Sequence, residues 1–332
     1  MGTLNKHVKI GEPLATADAL GRGMIKAAEK NQNIIAVLED MGFPGLPWFA
    51  KNAPDRVIEC GIAEANAAAM AAGLAAEGFI PVINSFVFAC ICRAYNQIRQ
   101  SILVDRFNVK FIGREGAWGE PGISHNHVEG IGATRVMPNL LIVNPADAVE
   151  SEKAVQAIMD YIGPVFLRVE ASPPPLQIFT PDYPFDIGKA YTVKEGKDAT
   201  IIATGYMLTE AIRASDLLEK EKIDVRIINM STIKPLDDEA VIKASEETGA
   251  IVTAENASII GGLGEAVAAC LCENAPAPLV RVGVEDEFSQ SGRIMKDVDE
   301  LKTHFAFGAE DLAAAVRECL ARRERLHKRM RR

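Results

Sequence analysis

What this chain of 332 residues lacks narrows its class before anything it contains. No apolar run approaches the roughly 20 residues a helix needs to cross a bilayer. The N-terminal MGTLNKHVKIGEP also has no apolar stretch of the kind a secretory signal carries. The expectation is therefore a cytoplasmic protein with no membrane partner. Cysteine is scarce: there are six, and the pairs Cys90/Cys92 and Cys270/Cys272 are separated by one residue, a spacing unlike that of structural zinc sites. Reduced, mostly buried thiols are expected. An excess of positive charge is missing too. With 36 Lys and Arg against 45 Asp and Glu the formal charge is −9, which opposes a broad phosphate-tracking surface and argues against a nucleic-acid partner.

What is present reads as an ordinary globular protein, 48% apolar and 24% charged, with the length of about two domains. In the first half, Asn33–Leu38, Phe79–Asn84, Val109–Gly113 and Asn139–Asn144 read as strands. Helices are expected over Ile62–Glu77 and Arg93–Leu103. Continuous apolar strands separated by helices predict a parallel sheet covered on both faces. Ser172–Pro184 carries five prolines in thirteen residues and cannot be a helix or a central strand. After it the pattern restarts, with strands at Ala199–Thr204, Val225–Asn229, Ala250–Ala254 and Leu279–Val284 and helices at Met207–Lys220, Asp237–Glu247 and Glu265–Glu273. The fold class is thus two parallel-sheet α/β domains in tandem. Residues 1–178 are read as the first domain, 179–190 as a Pro-rich linker, 191–321 as the second domain and 322–332 as a basic tail. The last eleven residues hold seven Lys or Arg and one Glu, so the rest of the chain carries about −15. A solvated helix end or a contact to an acidic partner fits that tail.

Two stretches invite chemistry. Gly261-Gly262-Leu263-Gly264 looks like a nucleotide loop, with Glu285 about 20 residues on, but its glycine spacing departs from G-x-G-x-x-G and no strand ends directly before it. A tight helix start is the better account. Cys60-Gly61-Ile62-Ala63-Glu64-Ala65-Asn66 opens an Ala-rich helix that another backbone could approach closely. Glu64 stands in its first turn, where it can act as a capping acid; buried where two such helices meet, its proton affinity would rise.

Further segments sharpen this: Ser85-Phe86-Val87-Phe88, Cys92-Arg93-Ala94-Tyr95-Asn96-Gln97-Ile98-Arg99, Gly119-Glu120-Pro121-Gly122-Ile123-Ser124-His125, Ser231-Thr232-Ile233-Lys234-Pro235-Leu236-Asp237, and Glu255-Asn256 ahead of the Gly261 turn. With them the sequence resembles, from about residue 10 to 320, the C-terminal half of the transketolases, and especially two-subunit transketolases in which that half is a separate chain. The resemblance implies a thiamine-diphosphate enzyme with a pyrimidine-binding domain followed by a transketolase C-terminal-like domain. On it, Glu64 matches the glutamate that hydrogen-bonds N1′ of the aminopyrimidine and helps activate the cofactor. Phe86 matches the aromatic packed on the pyrimidine. The family's second aromatic position is Ala89 here, and Phe88 is expected to fill the gap. Asp40 and Met41 match an acidic-apolar pair lining the pocket, and His125 matches the histidine facing the reacting oxygen. His127 forms an H-x-H pair with His125 but has no evident third ligand for a metal.

Departures from the family pattern point to an unusual substrate. The sugar-phosphate transketolases have an Arg where this chain has Ala17, and a basic residue in the stretch that reads Val169-Glu170-Ala171-Ser172 here. Gly119-Glu120-Pro121-Gly122 lacks the family's aspartate, while Arg114, eleven residues before His125, matches an arginine of the deoxyxylulose-phosphate synthases. The family's Gly-Asp-Gly, which holds the diphosphate through Mg²⁺ (or Ca²⁺), is absent from the sequence, so metal and diphosphate are expected on an N-terminal transketolase-like subunit. The resemblance further implies self-association through the first domain, an α2β2 heterotetramer, and transfer of a two-carbon ketol unit from a ketose-type donor to an aldehyde-type acceptor. The alternatives are the beta subunit of a 2-oxoacid dehydrogenase or acyloin-forming enzyme, and a non-catalytic assembly or regulatory subunit.

Overall fold

The computed structural model describes residues 2–117, 125–170, 173–288 and 298–330. The first unit runs α1 (Ala17–Lys30), β1 (Ile34–Leu38), α2 (Leu46–Asn52), β2 (Val57–Glu59), α3 (Glu64–Ala76), β3 (Ile80–Phe86), β4 (Lys110–Arg114), α4 (Gly130–Arg135), β5 (Leu141–Val143), α5 (Ala148–Asp160) and β6 (Val165–Val169). The second runs β7 (Tyr191–Lys194), β8 (Ala199–Ala203), α6 (Met207–Lys220), β9 (Val225–Asn229), β10 (Thr232–Lys234), α7 (Asp238–Thr248), β11 (Ile251–Ser258), α8 (Leu263–Asn274), β12 (Leu279–Val284), α9 (Val298–Phe305) and α10 (Ala309–Met330).

The strands form two sheets. The first has seven strands in the order β10-β5-β6-β4-β3-β1-β2 and the second five, in the order β12-β11-β8-β9-β7. Each is parallel except at one edge, where β10 lies antiparallel to β5 and β7 antiparallel to β9. All five residues of β1, β6 and β8 are buried, the pattern of strands covered on both faces. Each Ile, Val or Leu so buried contributes roughly 1.5–3 kcal/mol, and this apolar burial holds the helices to the sheets.

The two units are stitched together rather than merely linked. Strand β10 comes from the second half of the sequence yet completes the first sheet, pairing Thr232 with Val143. The Pro-rich segment runs back along the N-terminal arm, with bridges Val8–Phe179 and Pro13–Leu176. Asp147 caps α5 through the Glu150 amide and also accepts the Ile178 and Phe179 amides, 2.8 Å each. At the centre of the joint Arg168, fully buried at the end of β6, donates to Glu115, to Glu170 at 2.7 Å, and to the Asn256 carbonyl of β11.

The Gly261–Gly264 turn is a helix start, for a definite reason. Strand β11 runs four residues beyond the expected Ala254 and brings Glu255 beneath the turn, where its carboxylate accepts the Leu263 and Gly264 amides at 2.7 and 2.8 Å. The donors an anion would need are thereby taken. Gly261, at φ 74°, also packs its Cα position against Gly132 of α4, so the turn serves as another contact between the units.

Candidate active site

Ligand sites of parallel sheets lie at the carboxyl ends of their strands, and here β1, β3, β4 and β2 end together. Register places Leu38 beside Glu59 and Asn84, and Phe86 beside Arg114, so Glu39, Ser85, Phe86 and Arg114 sit at neighbouring strand ends. The loop after β1 turns through Asp40, which adopts a left-handed φ of 54°. Glu59 fixes that turn, its Oε1 accepting the amides of Asp40 at 3.0 Å and Gly61 at 2.7 Å. Gly61, itself at φ 65°, swings the chain into α3 and delivers Glu64 as that helix's first residue. The small side chains of α3 let the helix lie close: Ala67, Ala68, Ala71 and Ala72 are all buried.

Glu64 is buried, and its Oε1 accepts a 2.7 Å hydrogen bond from Arg93, whose side chain is 53% exposed. Arg93 arrives through a local departure from the expected helix. Residues 88–93 and 98–103 are π-helical, around a short α-helical turn at Tyr95–Gln97. The wider turn keeps Cys90, Ile91, Ile98 and Ile102 in the core while carrying Cys92 and Arg93 to the site.

The aromatic and histidine residues converge on one point. The Phe86 ring meets His125 edge to face, centroids 5.0 Å apart, and the Arg114 guanidinium lies over the same Phe86 ring at 5.0 Å. Burial depresses the Arg114 pKa, and its Nε is buried without a hydrogen-bond partner among the described residues. Arg114 and Asn84 line a cavity of about 310 Å³ with Ala17, Asp18 and Phe43. Nothing basic other than Arg114 lines that cavity among the described residues. His127 is directed to Cys92, Nδ1 to Sγ 3.8 Å, and to Glu129 at 3.5 Å. Burial lowers its pKa, and Glu129 offsets part of that.

The remaining expected positions fall as follows. Asp40 is exposed and Met41 half-buried on the β1 loop, beside the site. The side chain of Phe88 and the whole Gly119–Ser124 stretch lie outside the described residues. Glu170, in the stretch where a substrate-binding base would stand, is turned inward: it takes Arg168, the Asn256 amide at 2.7 Å and the Tyr206 N–H at 3.2 Å. Among the described residues no three His, Cys, Asp or Glu side chains come together as a metal site.

Sequence reasoning missed Glu39. It is 4% exposed, and neither carboxylate oxygen has a hydrogen-bond partner among the described residues. Burial, and then the negative charge of Glu64, raise its pKa to about 7; the Ser85 hydroxyl is near enough to offset part of this without reaching hydrogen-bonding geometry. Glu39 directly follows the expected strand Asn33–Leu38 and nothing in the residue pattern marks it; only the folded structure reveals that it is enclosed.

The cradle fits an aminopyrimidine in kind. It offers a buried carboxyl at a helix N-terminus, an aromatic wall and a second, unpartnered buried carboxyl. Comparison with known proteins agrees. Residues 12–172 match the family described as transketolase, pyrimidine binding domain, and residues 188–312 the one described as transketolase, C-terminal domain. The chain is 37% identical over 308 residues to the 6-deoxy-6-sulfo-D-fructose transketolase subunit SqwH of Clostridium sp. (strain MSTE9), covering 90% of this chain and 92% of that one. It is 36% identical to one of the subunits of the apulose-4-phosphate transketolase of Phocaeicola vulgatus, covering 89% and 94%. A solved structure described as a split gene transketolase, inactive beta4 tetramer, superposes with a TM-score of 0.84 at 36% identity, covering 93% of this chain and 99% of the other. The chain belongs to the transketolase family, as a subunit of the split-gene kind that holds the pyrimidine-binding and C-terminal domains.

Proposed function

We propose that this chain supplies the pyrimidine-facing half of a thiamine-diphosphate site and, with a second subunit, transfers a two-carbon ketol unit between a ketose-type donor and an aldehyde-type acceptor. The observation that carries this reading is the convergence of Glu64, Phe86 and His125 at the carboxyl ends of β1, β3 and β4. Thiamine diphosphate bound there would supply the electron sink for breaking and making the carbon–carbon bond. The chain's own residues would do the rest. Glu64, buried at the start of α3, exchanges a proton with the ring nitrogen it faces; Phe86 packs on the ring and keeps water away; His125, held against Phe86, hydrogen-bonds the reacting oxygen. Asp40 and Met41 border the pocket.

Mg²⁺ (or Ca²⁺) and the diphosphate are assigned to the partner, an N-terminal transketolase-like subunit, because the sequence has no Gly-Asp-Gly. Self-association into α2β2 would use the outer face of α3, where Asn66, Ala69 and Gly73 are exposed and small enough for a second helix to approach closely. Substrate charge would be read by Arg114, with Ala17 and the inward-turned Glu170 replacing two bases that bind phosphate in the sugar-phosphate enzymes. The substrate pair is therefore non-standard.

The test is to co-express the chain with its partner subunit and measure thiamine-diphosphate binding and C2-proton exchange for wild type and Glu64→Ala. Exchange is expected to fall by about 10²–10⁴-fold in the variant. Exchange that survives the substitution would remove Glu64 from its role, and ordinary rates with unmodified pentose phosphates would remove the non-standard substrate.

A further inference from the structure

The cavity of about 310 Å³ that Arg114 lines with Asn84, Ala17 and Phe43 also contains a carboxylate, that of Asp18. A compact space of that volume is about 8 Å across, no wider than the screening length at physiological salt, so a charge held inside it feels both Arg114 and Asp18. Arg114 offers a donor, since its Nε is buried without a hydrogen-bond partner among the described residues. Asn84 adds no charge, and its Nδ2 already donates to the Gly42 carbonyl.

Asp18 is exposed and stands in the first turn of α1, whose N-cap Thr16 places no side-chain oxygen on the free amides. A helix N-terminus carries about half a positive charge and would welcome an anion. Asp18 supplies that anion from within the chain, and the helix end and Asp18 together are net negative. No hydrogen bond or ion pair engages the Asp18 carboxylate among the described residues, so no cation neutralises it. The cavity therefore presents one full positive charge and a weaker negative one.

We propose that this cavity takes the far end of the substrate as a singly charged oxyanion, a carboxylate or a sulfonate, and that Asp18 is the residue that selects against a phosphate. One negative charge satisfies Arg114. A phosphate monoester carries about −1.5 to −2 at neutral pH, and its second charge would find no cation in the cavity and would face Asp18. The preference names a substrate only on the ketol-transfer reading, on which it rests; the charge selectivity of the cavity itself stands apart from that reading.

In the two-subunit enzyme, six-carbon ketoses ending in a carboxylate, a sulfonate or a phosphate are compared by kcat/KM. The wild type should favour the better of the two singly charged compounds over the phosphate by at least about tenfold, and that compound identifies the group. Asp18→Asn should move the ratio at least about fivefold toward the phosphate. The ratio is taken within each protein, so a change in stability does not imitate it. A wild type that prefers the phosphate, or an unchanged ratio in Asp18→Asn, overturns the proposal. If the wild type turns over none of the three, the ketol-transfer reading falls and the selectivity is read on the chain alone. Arginine Nε–H resonances, with Arg114 assigned through Arg114→Met, are followed by ¹⁵N NMR during titration with acetate, methanesulfonate and methyl phosphate at a pH where the phosphate is doubly charged. The Arg114 signal should move at a lower concentration of acetate or methanesulfonate than of methyl phosphate, and Asp18→Asn should narrow the difference. No response to any anion, or a response to the phosphate first, refutes the selectivity.

Discussion

Arg168 donates from Nη1 to Glu170 Oε1 at 2.7 Å, two positions further along the chain, with the arginine side chain fully buried. Because Glu170 Oε2 also accepts from Asn256 Nδ2 of β11 at 2.7 Å, this pair is the joint between the two sheets. Arg168→Met removes the only cation facing both Glu115 and Glu170 among the described residues. Breaking a buried pair from one side costs about 3–5 kcal/mol. Chemical denaturation of the purified chain should show a loss of that size, and an unchanged midpoint would show that the joint contributes nothing.

This joint illustrates what a sequence can and cannot disclose. Met207–Lys220, Val225–Asn229 and Leu279–Val284 match the expected elements end to end, because local apolar periodicity and bounding breakers define them. Strand β10 could not be placed that way. Three residues, Thr232–Lys234, carry no signal that they pair with β5 of the other unit, since that pairing is decided by tertiary packing. The sequence of residues 93–103 predicts one regular helix, but a period of 3.6 in the apolar residues does not distinguish an α-helix from the π-helical turns that replace most of it. Glu64, Phe86, His125 and Arg114 are singled out in the sequence by motif resemblance alone. Glu39 is not, because its isolation depends on α3 and β3 closing around it. The family pattern points instead to its neighbour Asp40, which is exposed.

Two glycines should respond in opposite directions to alanine. At Gly262 an added Cβ would sit 2.0 Å from Glu255 Oε2 and 2.5 Å from the Ser258 carbonyl, displacing the carboxylate that caps α8. Gly262→Ala should destabilise the chain by about 1–3 kcal/mol. Gly73 lies within α3 with nothing within 4 Å of its added Cβ, so Gly73→Ala should stabilise the isolated chain by about 0.5–1 kcal/mol. Denaturation midpoints check both, and equal signs for the two would contradict the geometry.

Stability should depend on pH in two stages. Burial is the largest cause in each case and raises the Glu39, Glu150 and Glu255 carboxyls to about 7. Folded-state values above the unfolded ones mean stability that is complete below about pH 4.5 and lost as pH climbs through 7. Lys110 behaves in the opposite sense. Its ammonium is buried against the Tyr161 and Gly163 carbonyls, and desolvation lowers it to about 7, so its penalty is present below that pH and relieved above it. Thermal unfolding is therefore expected to drop by at least about 5 °C from pH 5 to pH 7, at about 2–4 °C per kcal/mol, and to recover partly toward pH 9. Lys110→Met should abolish the recovery and keep the drop. A recovery that persists in the variant would assign it to other groups.

Arg114 gives the sharpest test of substrate charge. Its guanidinium is stacked on Phe86 at 5.0 Å, and no second cation lines the cavity among the described residues, so on the proposed function one charge-assisted contact would carry the recognition of an anionic substrate. Such a bond is worth about 1.5–3 kcal/mol. Arg114→Met in the two-subunit enzyme should raise KM for an anionic substrate by about 10–100-fold while kcat changes only a few-fold, because the contact is made equally in the ground and transition states. Arg114→Lys should not restore it, since an ammonium cannot stack on Phe86 or present two parallel donors. An uncharged analogue of the same substrate should be turned over alike by all three proteins. Equal losses for charged and uncharged substrates would instead identify Arg114 as a support for Phe86 and, through it, for His125.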